Sequence, residues 1–216
     1  MLRTNASKLY GLALVGLALM LMSGIASAQL PADTYFVSYF SNAHNEAGID
    51  ARVRMDNPGE ASGANLCADV YVFDAEEELQ ECCGCALSPD DMRMFSIDKN
   101  LTANPPGRET LTTGVIKVVS STPNPNSKWR CDPTGGNTLS NPTNDNIVPT
   151  PTIRAWATHL QTPFTSDGRS GAIVTTEEEF AESTLGQTEL NTLQELCFGL
   201  LLNGSGRGLC SCGTGH

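Results

Sequence analysis

Apolar and polar residues alternate with a period of two along much of this chain, and one segment near the C-terminus changes to a helical period. Residues 49–55 (IDARVRM) set Ile49, Ala51, Val53 and Met55 against Asp50, Arg52 and Arg54, which predicts a strand with one wet face in an antiparallel sheet. Residues 34–40 (TYFVSYF) are dense in aromatic and β-branched side chains and predict the first strand. In residues 66–73 (LCADVYVF) Cys67, Asp69, Tyr71 and Phe73 oppose Leu66, Ala68, Val70 and Val72; apolar groups on both faces place this strand at the centre of a sheet. Residues 92–97 (MRMFSI), 111–121 (LTTGVIKVVSS) and 171–175 (GAIVT) predict further strands. Another is expected over 152–161 (TIRAWATHLQ), with Trp156 and Leu160 facing one way and Ile153, Ala155 and Ala157 the other.

Turn residues punctuate these runs at Asp56-Asn57-Pro58-Gly59 and Ser88-Pro89-Asp90-Asp91, giving the short rhythm of an antiparallel sandwich. Thr176-Glu177-Glu178-Glu179 fits a capping box and predicts a one-turn helix through Phe180 and Ala181. Leu190, Leu193, Cys197 and Leu200 or Leu201 recur at helical spacing and predict a helix over about 188–202, with Asn203-Gly204 as its C-cap. Residues 122–151 hold Pro123, Pro125, Pro133, Pro142, Pro149 and Pro151 without periodicity, a loop long enough that it should be functional or held down locally. Cys131 lies inside it, so a disulfide is expected to pin it. The expected fold class is mainly β: an antiparallel β-sandwich with a C-terminal α-helix and a disulfide-stapled tail, in a single domain over 29–216. The strand, Asn-Pro-Gly turn and VYVFD strand within about 49–97 resemble, in a generic sense, the immunoglobulin-like sandwich modules of exported bacterial adhesion and surface proteins. That resemblance implies a binding or structural module and carries no site residues across; the Cys-Trp-Cys spacing of immunoglobulin domains is absent.

Residues 1–28 read as a secretory signal peptide: Arg3 and Lys8, then the apolar run 12–22 (LALVGLALMLM), then Ala26-Ser27-Ala28 as the cleavage site. The run is too short for a membrane anchor, and no second hydrophobic stretch reaches spanning length, so no membrane span is expected after cleavage. Losing Arg3 and Lys8 leaves eleven basic against 24 acidic residues, a net charge of −13. Such a surface repels nucleic acid and anionic lipid headgroups, and no nucleic-acid partner is expected. All eight cysteines (Cys67, Cys82, Cys83, Cys85, Cys131, Cys197, Cys210 and Cys212) fall in the mature part. An even count in an exported chain predicts up to four disulfides, and spacing leaves the pairing open.

Candidate chemistry is sparse. Cys82-Cys83-Gly84-Cys85 and Cys210-Ser211-Cys212 would suit a soft metal as thiolates, but their spacings differ from those of structural zinc sites, and half-cystines are the expectation. Cys82 and Cys83 project to opposite sides of an extended chain, so they should take different partners unless they form a strained vicinal bond. Asp74, Glu76, Glu77 and Glu78 offer oxygens to calcium without matching a calcium-loop motif, and a solvated turn is the expectation. His44 and His159 are the internal histidines, and His159 is expected as a packed side chain. No nucleophile elbow or phosphate-binding glycine loop occurs, no cofactor is called for, and no pair of carboxylates stands out for glycoside hydrolysis. Lys128, Trp129 and Arg130 place an aromatic between two cations in the long loop of an acidic protein, a candidate contact surface. The expectation is a non-catalytic interaction or structural protein, secreted or held in the periplasm or at the cell surface, with a protein or glycan partner. The alternatives are a metal-binding module and a carbohydrate-binding or carbohydrate-active protein.

Overall fold

The computed structural model of the chain describes residues 30–60, 63–107, 109–123, 131–135, 147–163, 171–203 and 205–215. The predicted signal segment and Lys128, Trp129 and Arg130 lie outside the described residues. The strands run in chain order as β1 (Tyr35–Phe40), β2 (Arg52–Asp56), β3 (Leu66–Asp74), β4 (Leu79–Leu87), β5 (Met92–Ser96), β6 (Gly114–Thr122), β7 (Val148–Pro149), β8 (Arg154–Gln161), β9 (Val174–Glu179), β10 (Ala181–Glu182) and, after a helix α1 (Gln187–Leu202), β11 (Thr214–Gly215). One sheet has the order β10-β1-β6-β3-β4 with β7 beside the end of β6, the other β11-β5-β2-β8-β9, and every pairing within them is antiparallel.

Burial matches the period-two reading of β3. Leu66, Ala68, Val70 and Val72 join a core that draws on both sheets, with Phe36, Phe40, Ile116 and Val118 from the first sheet and Val53, Met55, Phe95, Ala155 and Ala157 from the second. Tyr71 and Phe73, on the opposite face, meet Leu190, Leu193 and Cys197 of α1 in a second cluster. β3 is therefore covered on both faces, by the other sheet and by the helix, which is why its sequence has no wet side. α1 buries Leu190, Leu193, Gln194 and Cys197 and leaves Leu201 and Leu202 in solvent. Among the described residues, no helix is long and apolar enough to cross a membrane.

Three local expectations change. The Thr176–Glu179 stretch forms no capping-box helix: it is part of β9, antiparallel to β8 with Glu177 opposite Thr158 and Glu179 opposite Trp156. The β-branched Val174, Thr175 and Thr176 favour extension, and the backbone of β8 offers a full ladder of hydrogen bonds that one helical turn cannot match. Three glutamates on a sheet edge are a common way to keep that edge from pairing with other chains. Ile49 falls outside β2 and is exposed, the alternating face beginning at Ala51. In β8 the alternation ends at His159, since His159 and Leu160 are both buried.

Each side of the two-sheet stack is sealed by chain that passes from one sheet to the other. β9 edges the second sheet, Phe180 turns inward and donates its N–H to the Ala155 carbonyl, and β10 then edges the first sheet against β1. On the opposite side the tail lies against β4 with a parallel bridge between Cys82 and Leu209, then reaches β5 as β11. The tail is thus a structural closure.

Candidate functional site

The eight cysteines form four disulfides, Cys67–Cys131, Cys82–Cys197, Cys83–Cys210 and Cys85–Cys212, and none is free. Cys82 and Cys83 take different partners, as their opposite projection from a strand requires. Cys82 faces the helix and reaches Cys197, whereas Cys83 faces the shared core and reaches the tail. The Cys83–Cys210 and Cys85–Cys212 bonds have the same sequence separation, 127, and a constant separation marks parallel register, in agreement with the parallel bridge at Cys82 and Leu209. The C-G-C of β4 and the C-S-C of the tail therefore lie side by side as two rungs of one ladder. Backbone bonds hold the same alignment, with the Cys82 N–H on the Gly208 carbonyl at 2.9 Å and the Cys210 N–H on the Cys82 carbonyl at 3.2 Å.

A cleft of about 310 Å³ opens beside this ladder, lined chiefly by apolar surface from Cys83, Gly84, Pro133, Leu201, Leu209 and the cystine sulfurs, with Cys131 and Asp132 on its wall. Leu201 and Leu209 are 39% and 52% exposed, large apolar groups in solvent on a chain of net charge −11. Gly84 is required here, since a Cβ would strike the Cys131 carbonyl oxygen and crowd the Asp69 carboxylate. The glycine lets residues 131–135 lie directly on β4, and the Cys67–Cys131 bond and a 2.8 Å hydrogen bond from the Tyr71 hydroxyl to the Pro133 carbonyl fix them there.

Asp69 is fully buried below this segment. The Ser121 hydroxyl donates to its Oδ2 at 2.7 Å, while Oδ1 has no hydrogen-bond partner among the described residues. Burial pushes its carboxyl up to about 7, the charge of Asp132 adds to the rise, and the Ser121 bond opposes it. Glu81, fully buried near the tail, is also pushed up to about 7 by burial, against the 2.6 Å bond that its Oε1 accepts from the Asn104 N–H. Nothing in their local sequence separates these two carboxylates from exposed ones. Asp69 sits on a run without a wet face, which is the one signal that could have found it.

The calcium candidates do not converge. Asp74 spends its carboxylate on the β3–β4 turn, accepting the N–H groups of Glu76 and Glu78 at 3.0 and 2.8 Å and the Gln80 amide at 2.6 Å, while Glu76, Glu77 and Glu78 are exposed. Among the described residues, the one group of three or more metal-ligating side chains with converging donor atoms is Cys83, Cys85 and Cys212, whose sulfurs are engaged in disulfides. His159 is buried, stacks on Tyr39 at 4.1 Å and lies 3.7 Å from the Glu178 carboxylate. Burial lowers its pKa, with Glu178 opposing, so it is a neutral packed ring at neutral pH. His44 is on an exposed loop against the Thr102 hydroxyl. The Lys128–Trp129–Arg130 contact surface lies outside the described residues, so the cleft, which the sequence did not single out, is the site that geometry supplies. No family model, no curated protein and no solved structure matches this chain.

Proposed function

We propose that the mature protein is an exported, non-catalytic interaction protein, whose cystine-locked sheets hold the cleft at Leu201 and Leu209 rigid for an apolar side chain of a partner protein. The observation that carries this reading is the pair of exposed leucines on an apolar cleft in an otherwise acidic chain, since large apolar groups gathered at one concave place mark contact sites more often than scattered ones do. The net charge of −13 after cleavage and the Asp132 wall favour a partner whose apolar anchor is flanked by basic residues. Four disulfides suit an oxidising compartment outside the cytoplasm, in keeping with the predicted signal segment. They also keep the walls of the cleft from rearranging, which lowers the ordering cost of binding.

The test uses a neutral, environment-sensitive dye such as Nile red. A single saturable site is expected, weakened at least tenfold in Leu209→Asp or Leu201→Asp with the melting temperature unchanged. A dye that fails to bind, or binds both variants as it binds the parent, would remove the cleft from consideration.

A further inference from the structure

Two sulfurs of different disulfides touch in this molecule. Cys85 Sγ lies 4.0 Å from Cys83 Sγ, and since both are oxidised this is a packing contact between the two rungs of the ladder. Seven of the eight cysteines are buried and Cys212 is half-buried, and it lines the cleft together with Cys83 and Cys210. Cys85 is fully buried and lies behind them. Access decides which sulfur of a disulfide a thiolate attacks, and the position of the next sulfur decides whether the thiolate released can attack in turn. Here the accessible sulfur, the leaving sulfur and the next disulfide stand in series.

We propose that the Cys83–Cys210 and Cys85–Cys212 pair is a thiol–disulfide exchange site that a dithiol enters through the cleft at Cys212, so that one two-electron reduction detaches the whole tail. The first thiolate of the dithiol attacks Cys212 Sγ, forming a mixed disulfide, and the Cys85–Cys212 bond breaks with its electron pair on Cys85. The Cys85 thiolate attacks the adjoining Cys83 Sγ. A Cys83–Cys85 bond forms, the Cys83–Cys210 bond breaks, and Cys210 leaves with the electron pair and takes up a proton. The second thiol of the dithiol then closes on the mixed disulfide, releasing Cys212, which is protonated in turn. The dithiol has lost two electrons and two protons, the protons reside on Cys210 and Cys212, and four protein disulfides have become three.

The new bond is within reach of the strand. Residues i and i+2 share a face and lie about 6.6 Å apart at roughly 3.3 Å per residue, at the upper end of the roughly 4.4–6.8 Å range that disulfides span. Without the relay, one dithiol would open one rung and leave the tail fastened by the other. Detachment would expose the outer edge of β4, which the backbone bonds at Cys82 now cover.

The test treats the oxidised protein with one equivalent of dithiothreitol, quenches in acid, alkylates the free thiols and maps the peptides. Labels on Cys210 and Cys212 together with a Cys83–Cys85 cross-link are expected. Labels on Cys85 and Cys212 with Cys83–Cys210 intact would overturn the relay, and labels on Cys67, Cys131, Cys82 or Cys197 ahead of these would overturn the assignment of the entry point. In Cys85→Ser/Cys212→Ser the relay is removed, and labelling of Cys210 at the same dose should fall at least fivefold; unchanged labelling there would equally overturn it. The peptide map of the parent protein decides the matter alone if that variant does not fold.

Discussion

Asp69 shows how much one side chain contributes to the pH behaviour of the whole. Among the described residues its carboxyl has no counter-charge, one oxygen without a partner and the acidic Asp132 nearby, so it holds its proton up to about pH 7, whereas the unfolded chain releases it near the ordinary value of 3.8. Between those values the folded state binds more protons at this group than the unfolded state, so the contribution of Asp69 to stability is greatest below about pH 4 and falls as the pH rises towards 7. Glu81 titrates in the same direction and the same window. Urea unfolding of the parent between pH 4 and 8 should therefore show a midpoint that declines with pH, by a few kcal/mol in free energy over the two groups. Asp69→Asn should flatten roughly half of that slope and leave the part due to Glu81. An unaltered slope in the variant would show that Asp69 is already ionised in the folded protein. This residue was only partly legible: its place on a strand with no wet face could be read, but its full burial and the nearness of Asp132 depend on what α1 and residues 131–135 bring across the sheet.

At the scale of elements, most strands were legible because their period of two records which face is wet, and β3 reads as central because neither face is; β4 was not, since its run LQECCGCAL has no such period. The glutamates of β9 misled because acidic residues at a helix start and acidic residues on a sheet edge look alike in a short window; Arg54, which pairs with Glu177, and the ladder to β8 settle the matter. α1 was legible from its leucines, yet its start has a weakness the sequence already contains. Gly186 occupies the N-cap in extended geometry with no side chain to accept the first free N–H groups, and a Cβ there would meet nothing within 4 Å. Gly186→Asp should stabilise the protein by about 0.5 kcal/mol through the cap and the helix dipole. Thermal unfolding would register this as an upward shift of one to a few degrees; no shift, or a fall, would mean that the aspartate does not reach the helix end.

At the scale of the molecule, the four disulfides are unequal. Cys67–Cys131 closes a loop of 64 residues, which chain entropy values at about 4 kcal/mol. Cys83–Cys210 closes a larger loop of 127, but once it exists Cys85–Cys212 closes only the few residues between the two rungs, and its own entropic contribution shrinks accordingly. Removing Cys85–Cys212 as a double serine variant should consequently cost less than half of what removing Cys67–Cys131 costs, as read from guanidinium unfolding. Equal losses would mean that packing of the Cys85 sulfur outweighs loop closure.

Local matters were settled along the chain itself: where most of the strands run, which of their faces are apolar, where the C-terminal helix lies, and that Cys82 and Cys83 project apart. Each depends on residues within a few positions of one another, where side-chain period and backbone geometry act directly. The cystine pairing, the parallel alignment of the tail on β4, the burial of Asp69 and Glu81, and the cleft between Leu201 and Leu209 emerged with the folded arrangement and not before it. These join positions up to 127 residues apart, and their energies come from loop closure, desolvation and close packing, none of which is written in any short stretch of the chain.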